Sequence, residues 1–384
     1  MASESLTTAA VLTDELVEDA RRLIGVWLRR DVHWPALYEP ISQHDIRRWA
    51  MYSVGDDNPL WCDEAYGRTT PWGRTIAPPT FLYSIDTLIV APGLPGIQWI
   101  HGGTRWEFFR PVHVGDTITA RARLLRVADK RGRRVPRFLI QTGEVLFANQ
   151  SGQLVARAEN DVLRVPRANS GQGPRMDHTD IPARFTEQQI DEVRARYLAE
   201  TRRGRDPRYW EDVHEQDQLP ELTKGPLTLV DIMAFYAGRR NVYNPLGLAF
   251  AERERHPANV YVSPSTGIPT HPAAGHFDAE IAREIGMPGA YDNGWMRVNW
   301  VGQLLTNWAG DWGFVSRLNV RLPAPNYVGD LTTLAGRVVS KRLDQVRHLV
   351  AIECTGTNQR GEVTTIASAE VRLPSRDPDD RYEA

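Results

Sequence analysis

Between Tyr52 and Gly67 the chain reads YSVGDDNPLWCDEAYG, which sets Asp56, Asp57 and Asp63 around an Asn58-Pro59 turn. A carboxylate held on a tight turn can orient and activate water, provided a neighbouring group moves the proton. Five residues after Asp56 that neighbour is Trp61, and an indole can donate a hydrogen bond but cannot carry a proton. The simpler use of Asp56 is an Asx-type cap on the turn with Asn58.

A second set of candidates lies in GHFDAEIAREIGMPGAYDNG, Gly275 to Gly294. His276 has the side chain best suited to acid–base work near neutral pH, and its alternative use is as a structural histidine inside an interface. Asp278 follows it, and His271 precedes it by five residues, either as a replacement base or as part of a loop wall. Asn293-Gly294 then opens a long apolar run, GWMRVNWVGQLLTNW. A helix starting there presents unpaired N–H groups at the positive end of its dipole, a place to hold an anionic oxygen, and glycine permits close approach. Asp86 in YSIDTL and Asn299 in MRVNW interrupt otherwise apolar segments. Asp86 either completes a site with His276 across the two halves or is satisfied by a polar neighbour.

The elements that must position these residues occur twice. PISQHDI from Pro40 returns as PLTLVDI from Pro226, each with a Ser or Thr cap and an Asp three residues on, the pattern of a helix N-terminus. At the same spacing of 186 residues Asn58-Pro59-Leu60 falls on Asn244-Pro245-Leu246, while Asp56 falls on Val242. RPVHVGDTITARARL from Arg110 matches APNYVGDLTTLAGRV from Ala324, and the turn NQSG from Asn149 matches NQRG from Asn358. Alternating segments such as RFLIQTGEVLF and RHLVAIECTGT flank those turns and predict antiparallel strands. A capped helix precedes each copy, from Thr13 with Leu16, Ala20, Leu23 and Trp27 on one face and from Thr186 with Ile190, Val193 and Tyr197. PPTFLYSIDTLIV from Pro78 and GWMRVNWVGQLLTNW from Gly294 each predict a central helix of several turns. The second copy carries 29 extra residues, roughly Gly247 to Gly275, whose placement before His276 predicts a lid or wall.

Composition limits the functions open to such a chain. Its 384 residues, 41% hydrophobic and 24% charged, suffice for two to three domains with a real core. A formal net charge of -2 provides no field to gather nucleic acid or an anionic membrane. Cys62 and Cys354 are too few for a disulfide framework or a cysteine-rich zinc site, which points to a reducing cytoplasm. The start of the sequence lacks a basic-then-apolar signal, and no apolar run approaches the ~20 residues of a membrane span. Neither a glycine-rich phosphate loop nor a metal-ligand spacing stands out, so no metal is expected. ADKRGRR (Ala128 to Arg134) and TRRGRDPR (Thr201 to Arg208) could meet phosphates, and equally suit a hairpin tip and a solvated linker.

YSVGDDNPLWCD resembles the Gly-Asp-x-Asn-Pro-x-His-x-Asp loop of the MaoC-like hydratase/dehydratase family, with Trp61 at the histidine position. RTIAPPTF and FFRPVHVGD are similar to the N-terminal half of its two-hot-dog members. GHFDAEIAREIGMPGAYDNG resembles the family's His-x-Asp stretch and the entry to the second central helix, with Asn293 where histidine is common. The resemblance implies an α+β double hot-dog, two antiparallel sheets each wrapped around a central helix as a pseudo-dimer. It places an N-terminal hot-dog at 10–165, a linker with a helix at 166–219, a C-terminal hot-dog at 220–375 and a disordered acidic tail at 376–384. The implied activity is addition or removal of water at the Cα=Cβ bond of an acyl thioester of coenzyme A or acyl carrier protein. No separate cofactor is implied, since coenzyme A arrives as part of the substrate, and a homo-oligomer fits the family. Asp56, His276, Asp86, His271 and Asp278 are the implied catalytic candidates, and Asn58, Trp61, Asn293 and Gly294 the substrate-binding ones. With Val242 replacing the second acid and Trp61 the first histidine, two rival readings stand: a hot-dog thioesterase, and a degraded module that binds thioesters or an active subunit.

Overall fold

The computed structural model describes residues 11–28, 39–132, 136–166, 181–240, 245–255, 260–263, 265–284, 287–345 and 347–377. Val242, Asn244, residues 167–180 of the expected linker and residues 378–384 of the acidic tail lie outside the described residues. The first half runs α1 (Asp14–Arg22), β1 (Trp27–Leu28), α2 (Gln43–Arg48), a π-helical stretch Trp49–Val54, and the short α3 (Pro59–Cys62) and α4 (Glu64–Gly67). A 3₁₀ stretch Pro79–Ser84 follows, and then β2 (Ile97–Phe108), β3 (Thr119–Lys130), β4 (Phe138–Ala148) and β5 (Leu154–Pro166). The second half runs α5 (Glu187–Leu198), β6 (Gln218–Lys224), α6 (Leu229–Ala237), α7 (Leu246–Arg255) and the two-residue strands β7 (Tyr261–Val262) and β8 (Pro269–Thr270). It continues through a 3₁₀ stretch Pro272–His276, α8 (Ala279–Glu284) and α9 (Gly294–Ala309) to β9 (Phe314–Arg321), β10 (Thr332–Asp344), β11 (Arg347–Asn358) and β12 (Val363–Arg372).

Ten strands join in one antiparallel sheet in the order β1-β3-β4-β5-β2-β9-β12-β11-β10-β6. The order reads as two copies of one block turned head to head, with β2 of the first half paired to β9 of the second from Gly103↔Arg321 to Glu107↔Arg317. The two blocks share one hydrophobic core, in which Trp49, Phe81 and Phe235 pack with Trp295, Val301 and Leu305. The repeat thus divides the sequence in two while the core remains common, as in the double hot-dog architecture expected from the motifs.

The duplicated motifs are duplicated hydrogen-bond devices. Ser42 with Asp45 and Thr228 with Asp231 form reciprocal capping boxes at α2 and α6. In each Val-Gly-Asp turn the glycine takes a left-handed conformation, φ 92° at Gly115 and 93° at Gly329. The following Asp accepts the N–H three residues back, Asp116 from His113 and Asp330 from Tyr327. The Gln of each Asn-Gln turn then donates to that Asp and accepts the next backbone N–H, Gln150 from Thr117 and Gln359 from Leu331. Both anchors therefore hold the start of a strand against the turn of a neighbouring hairpin.

One expectation fails. The segment from Pro78 forms only the 3₁₀ stretch Pro79–Ser84, not a helix of several turns, so α9 is the single long central helix among the described residues. Proline at its start removes a donor, and the Asp86 carboxylate accepts the Leu88 N–H at 2.6 Å. That local bond offers the backbone an alternative to the helical ladder.

The second-half turn carries more electrostatic weight, because Arg360 grips both oxygens of Asp330 where the first half has Ser151. Asp330→Ala should lose roughly 3 kcal/mol, because it removes two charged hydrogen bonds from Arg360, which keeps only Glu362, as well as those of the turn. Asp116→Ala should lose only about 1–2 kcal/mol, the cost of unpaired hydrogen bonds. Urea unfolding of the two variants measures the difference, and equal losses would contradict this account.

Candidate active site

The first-half loop is closed on itself. Gly55, left-handed at φ 73°, ends the π-helical stretch and turns Asp56 inward, where it is buried. One oxygen of its carboxylate accepts the Asn58 N–H at 3.1 Å, and the other accepts the Trp61 indole N–H at 2.8 Å. Arg202, from the stretch after α5, adds an ion pair at 3.1 Å and also binds Asp57 at 2.7 Å. Asn58 caps α3 through the Leu60 N–H. The indole thus occupies the place of a proton carrier and serves instead as a donor to a carboxylate already gripped by arginine.

The second-half loop has the same shape with different chemistry. His271 caps the 3₁₀ stretch Pro272–His276, its Nδ1 accepting the Ala273 N–H at 3.1 Å, two residues on, as Asp56 accepts that of Asn58. His276, five residues later, matches Trp61 in spacing. By spacing His271 and His276 match Asp56 and Trp61, whereas as the cap directly before a proline His271 matches Asn58.

The hydrogen bonds also set tautomers. His276 Nδ1 lies 3.0 Å from the Tyr291 carbonyl oxygen, which can only accept, so the ring proton is on Nδ1 and Nε2 keeps its lone pair. His271, accepting at Nδ1, carries its proton on Nε2 when neutral. Burial pushes the His276 pKa down to about 4, against the opposing pull of hydrogen bonds to the backbone of Tyr291 and Asp292. Burial likewise brings His271 to about 4, with the nearby His276 adding to the effect. Both rings are neutral at physiological pH.

The entry to α9 is tied to His276. Asn293 caps the helix through the Trp295 N–H at 3.0 Å and donates to the Tyr236 hydroxyl at 2.9 Å. Tyr236 also lies against His276, with ring centroids 6.4 Å apart. Next to Asn293, Asp292 is buried with Arg297 at 2.7 Å, and a carboxylate oxygen of Asp292 accepts the Asn326 N–H. This pair fixes the Tyr291–Gly294 corner from behind. Above Gly294 stand Leu322 and His101, which a methyl group at position 294 would meet at 2.7 and 2.9 Å.

The remaining candidates are placed elsewhere. Asp278 caps α8 through the Glu280 and Ile281 N–H groups and is exposed. Asp86 caps the turn at Leu88. Asp56 lies with Arg202 and feels the buried Lys224, whose ammonium binds Gln303 on α9. Gln303 is nine residues, about 13 Å of helix, beyond Gly294, so the Asp56 and His276 loops lie against different stretches of α9. Tyr236, Asp292, Arg297 and His101 had no motif to announce them. Of the linker arginines, Arg202 is paired as above, Arg203 binds Asp206, Arg205 covers the Tyr66 ring and Arg208 that of Trp308. No cluster of three metal-ligating side chains occurs among the described residues. No described helix is long and apolar enough to cross a membrane.

The fold is that of MaoC-like double hot-dog proteins. A solved MaoC-like dehydratase superposes with a TM-score of 0.64 at 19% identity, covering 92% of this chain and 100% of that one. A MaoC domain protein dehydratase of Chloroflexus aurantiacus gives 0.54 at 13% identity, covering 88% and 93%. The model of the FAS1-like dehydratase domain region matches residues 31–158, within the first half. A UPF0336 protein of Parafrankia sp. is 31% identical over 123 residues, 30% of this chain and 78% of that protein. An (R)-specific enoyl-CoA hydratase of Rhodospirillum rubrum is 33% identical over 85 residues, 22% of this chain and 58% of that protein. The chain belongs to the family of the UPF0336 proteins, in a form where the hot-dog unit occurs twice.

The lowered histidine pKa values fix a sign for stability. Free histidine titrates near 6.5, so between pH 6.5 and about 4 the unfolded chain takes up protons that folded His276 and His271 refuse. Stability should therefore be full above pH 6.5 and fall as pH drops, by up to about 1.4 kcal/mol per pH unit for each histidine. His276→Gln should flatten that slope by up to one proton, measured as unfolding free energy at pH 5 to 7. An unchanged slope would show that burial does not suppress protonation of His276.

Proposed function

We propose that the second half holds a hydratase/dehydratase centre for acyl thioesters. The observation that carries the reading is the His276 Nδ1 bond to the carbonyl of Tyr291, three residues before Gly294 at the α9 entry, which leaves Nε2 as the neutral base. In the hydration direction Nε2 of His276 takes a proton from water as the water oxygen bonds to Cβ. The π electrons move onto the thioester oxygen as an enolate, held by the Gly294 N–H at the helix start. The imidazolium then returns the same proton to Cα, so atoms and charge balance with one histidine. Burial that depresses the His276 pKa makes that imidazolium a strong acid, which favours the return.

His271 lies five residues before His276, at the spacing of the family's acid, and lines the same loop as a neutral imidazole. The first half serves as scaffold and acyl wall, since Asp56 is committed to Trp61 and Arg202. Coenzyme A enters as part of the substrate, and the reaction calls for no other cofactor.

Purified protein mixed with short and medium trans-2-enoyl-CoA thioesters should consume the enoyl absorbance without releasing free thiol. His276→Ala should reduce turnover by roughly 10²–10⁴-fold, the usual worth of general acid–base catalysis. Asp56→Asn should leave it within a few-fold. Thiol release in place of hydration would establish the thioesterase reading, and binding with neither reaction a non-catalytic module.

A further inference from the structure

A groove of about 760 Å³ crosses the outer side of the β2–β9 seam. Its walls carry arginines and acids in unequal supply. Glu107 and Glu370 are taken up by Arg317, and Glu370 and Asp344 by Arg342. Asp116 is consumed by the turn that it organises with His113 and Gln150. Arg74, Arg110 and Arg347 also line the groove, are exposed, and have no acid partner among the described residues. Three uncommitted guanidiniums in one groove are a strong anion-binding element, since each offers a planar fork to phosphate oxygens. They differ from the linker arginines, each of which already has an intramolecular partner.

The groove has an aromatic side as well. Phe109, next to Arg110, is 48% exposed, and Trp72 and Phe314 meet along the wall with ring centroids 6.1 Å apart. At Phe108, Arg110, Pro111 and Phe314 it shares its lining with a smaller apolar cavity reaching Trp61, Pro78 and Pro79. The repeated motif FFRPVHVGD thus supplies, besides its turn, an exposed phenylalanine and a free arginine at the junction of a charged groove and an apolar recess.

We propose that this groove binds a nucleotide phosphate, with phosphate oxygens on Arg74, Arg110 and Arg347, the base against Phe109, and any apolar arm directed to the recess beside Trp61. The site belongs to the seam and the first-half loop, and shares none of the contacts described for His276. The site does not rest on the reaction proposed above, since the recess lies at the Thr306–Gly310 end of α9 and the proposed centre at its Gly294 start.

Calorimetric titration of the full chain at low salt, with adenosine 3′,5′-bisphosphate as the probe, tests it. Saturable binding is expected, weakening with added salt because the arginines are exposed. Arg110→Ala with Arg347→Ala should weaken it at least about tenfold, the scale of charged hydrogen bonds, with melting curves showing that the variant remains folded. His276→Ala should bind as tightly as the parent, which separates a failure of the groove from a failure of the reaction. Phe109→Ala should weaken the bisphosphate but not inorganic pyrophosphate. Absence of saturable binding, or binding indifferent to the arginine pair, overturns the site. Pyrophosphate binding as tight as the bisphosphate overturns its nucleotide character.

Discussion

Almost none of α9 faces solvent. Of its 16 residues 14 are buried, and four of those carry charged or amide side chains that must find partners inside the protein. Arg297 pairs with Asp292, Asn299 donates to the Ser53 carbonyl, Gln303 receives the Lys224 ammonium, and Asn307 reaches Glu200. Those partners come from the first-half π-helical stretch, from α5 and its exit, from β6 and from the loop before α9. One buried helix therefore dictates where both halves lie, because moving any of these segments strands a polar group in the core, at a cost of about 1–3 kcal/mol.

This constraint explains why a duplicated chain has unequal halves. Two full central helices would both need partners for their polar positions in a single core, whereas here the first half contributes only the six residues Pro79–Ser84. Thr80 packs beside Gly302 of α9, where a methyl on the glycine would lie 3.4 Å from the threonine. The first half keeps its sheet and loop but lacks a helix start of the α9 kind. With Pro78 and Pro79 at that point two donors are missing, and an enolate would have little to hold it.

What could be read from the sequence is what is local. Both capping boxes, both Val-Gly-Asp turns and both Asn-Gln turns close through bonds between residues three or four apart, or between two short motifs, so residue type and spacing determine them. The strand blocks follow from alternation between those turns. The first central helix departs from the pattern because its apolar run shows no sign that Asp86 bonds to Leu88. In the site, His276 and Gly294 were legible from a motif, but Tyr236 reaches Asn293 across 57 positions and His101 reaches Gly294 from the other half of the chain. Such contacts depend on β2 meeting β9, which no local pattern states. The five-residue spacing offers His271 as a replacement for the acid, while the repeat offset places Val242 there.

The two loops differ in a way their surroundings make intelligible. A buried carboxylate needs donors and positive charge, and around Asp56 the chain supplies an indole N–H, the Arg202 guanidinium and the field of Lys224. A histidine among those cations would be hard to protonate, and an indole there has no charge to protect. Around His276 the situation is reversed: the nearest strong charges, Asp292 and Arg297, neutralise each other, and the second group of the loop is a neutral imidazole. A carboxylate at position 271 would raise the pKa of His276 and hold its proton, whereas burial lowers that pKa and lets the proton go. Acid without base in one loop and base without acid in the other are thus two self-consistent charge arrangements, each matched to the residues that α9 and its neighbours bring against it.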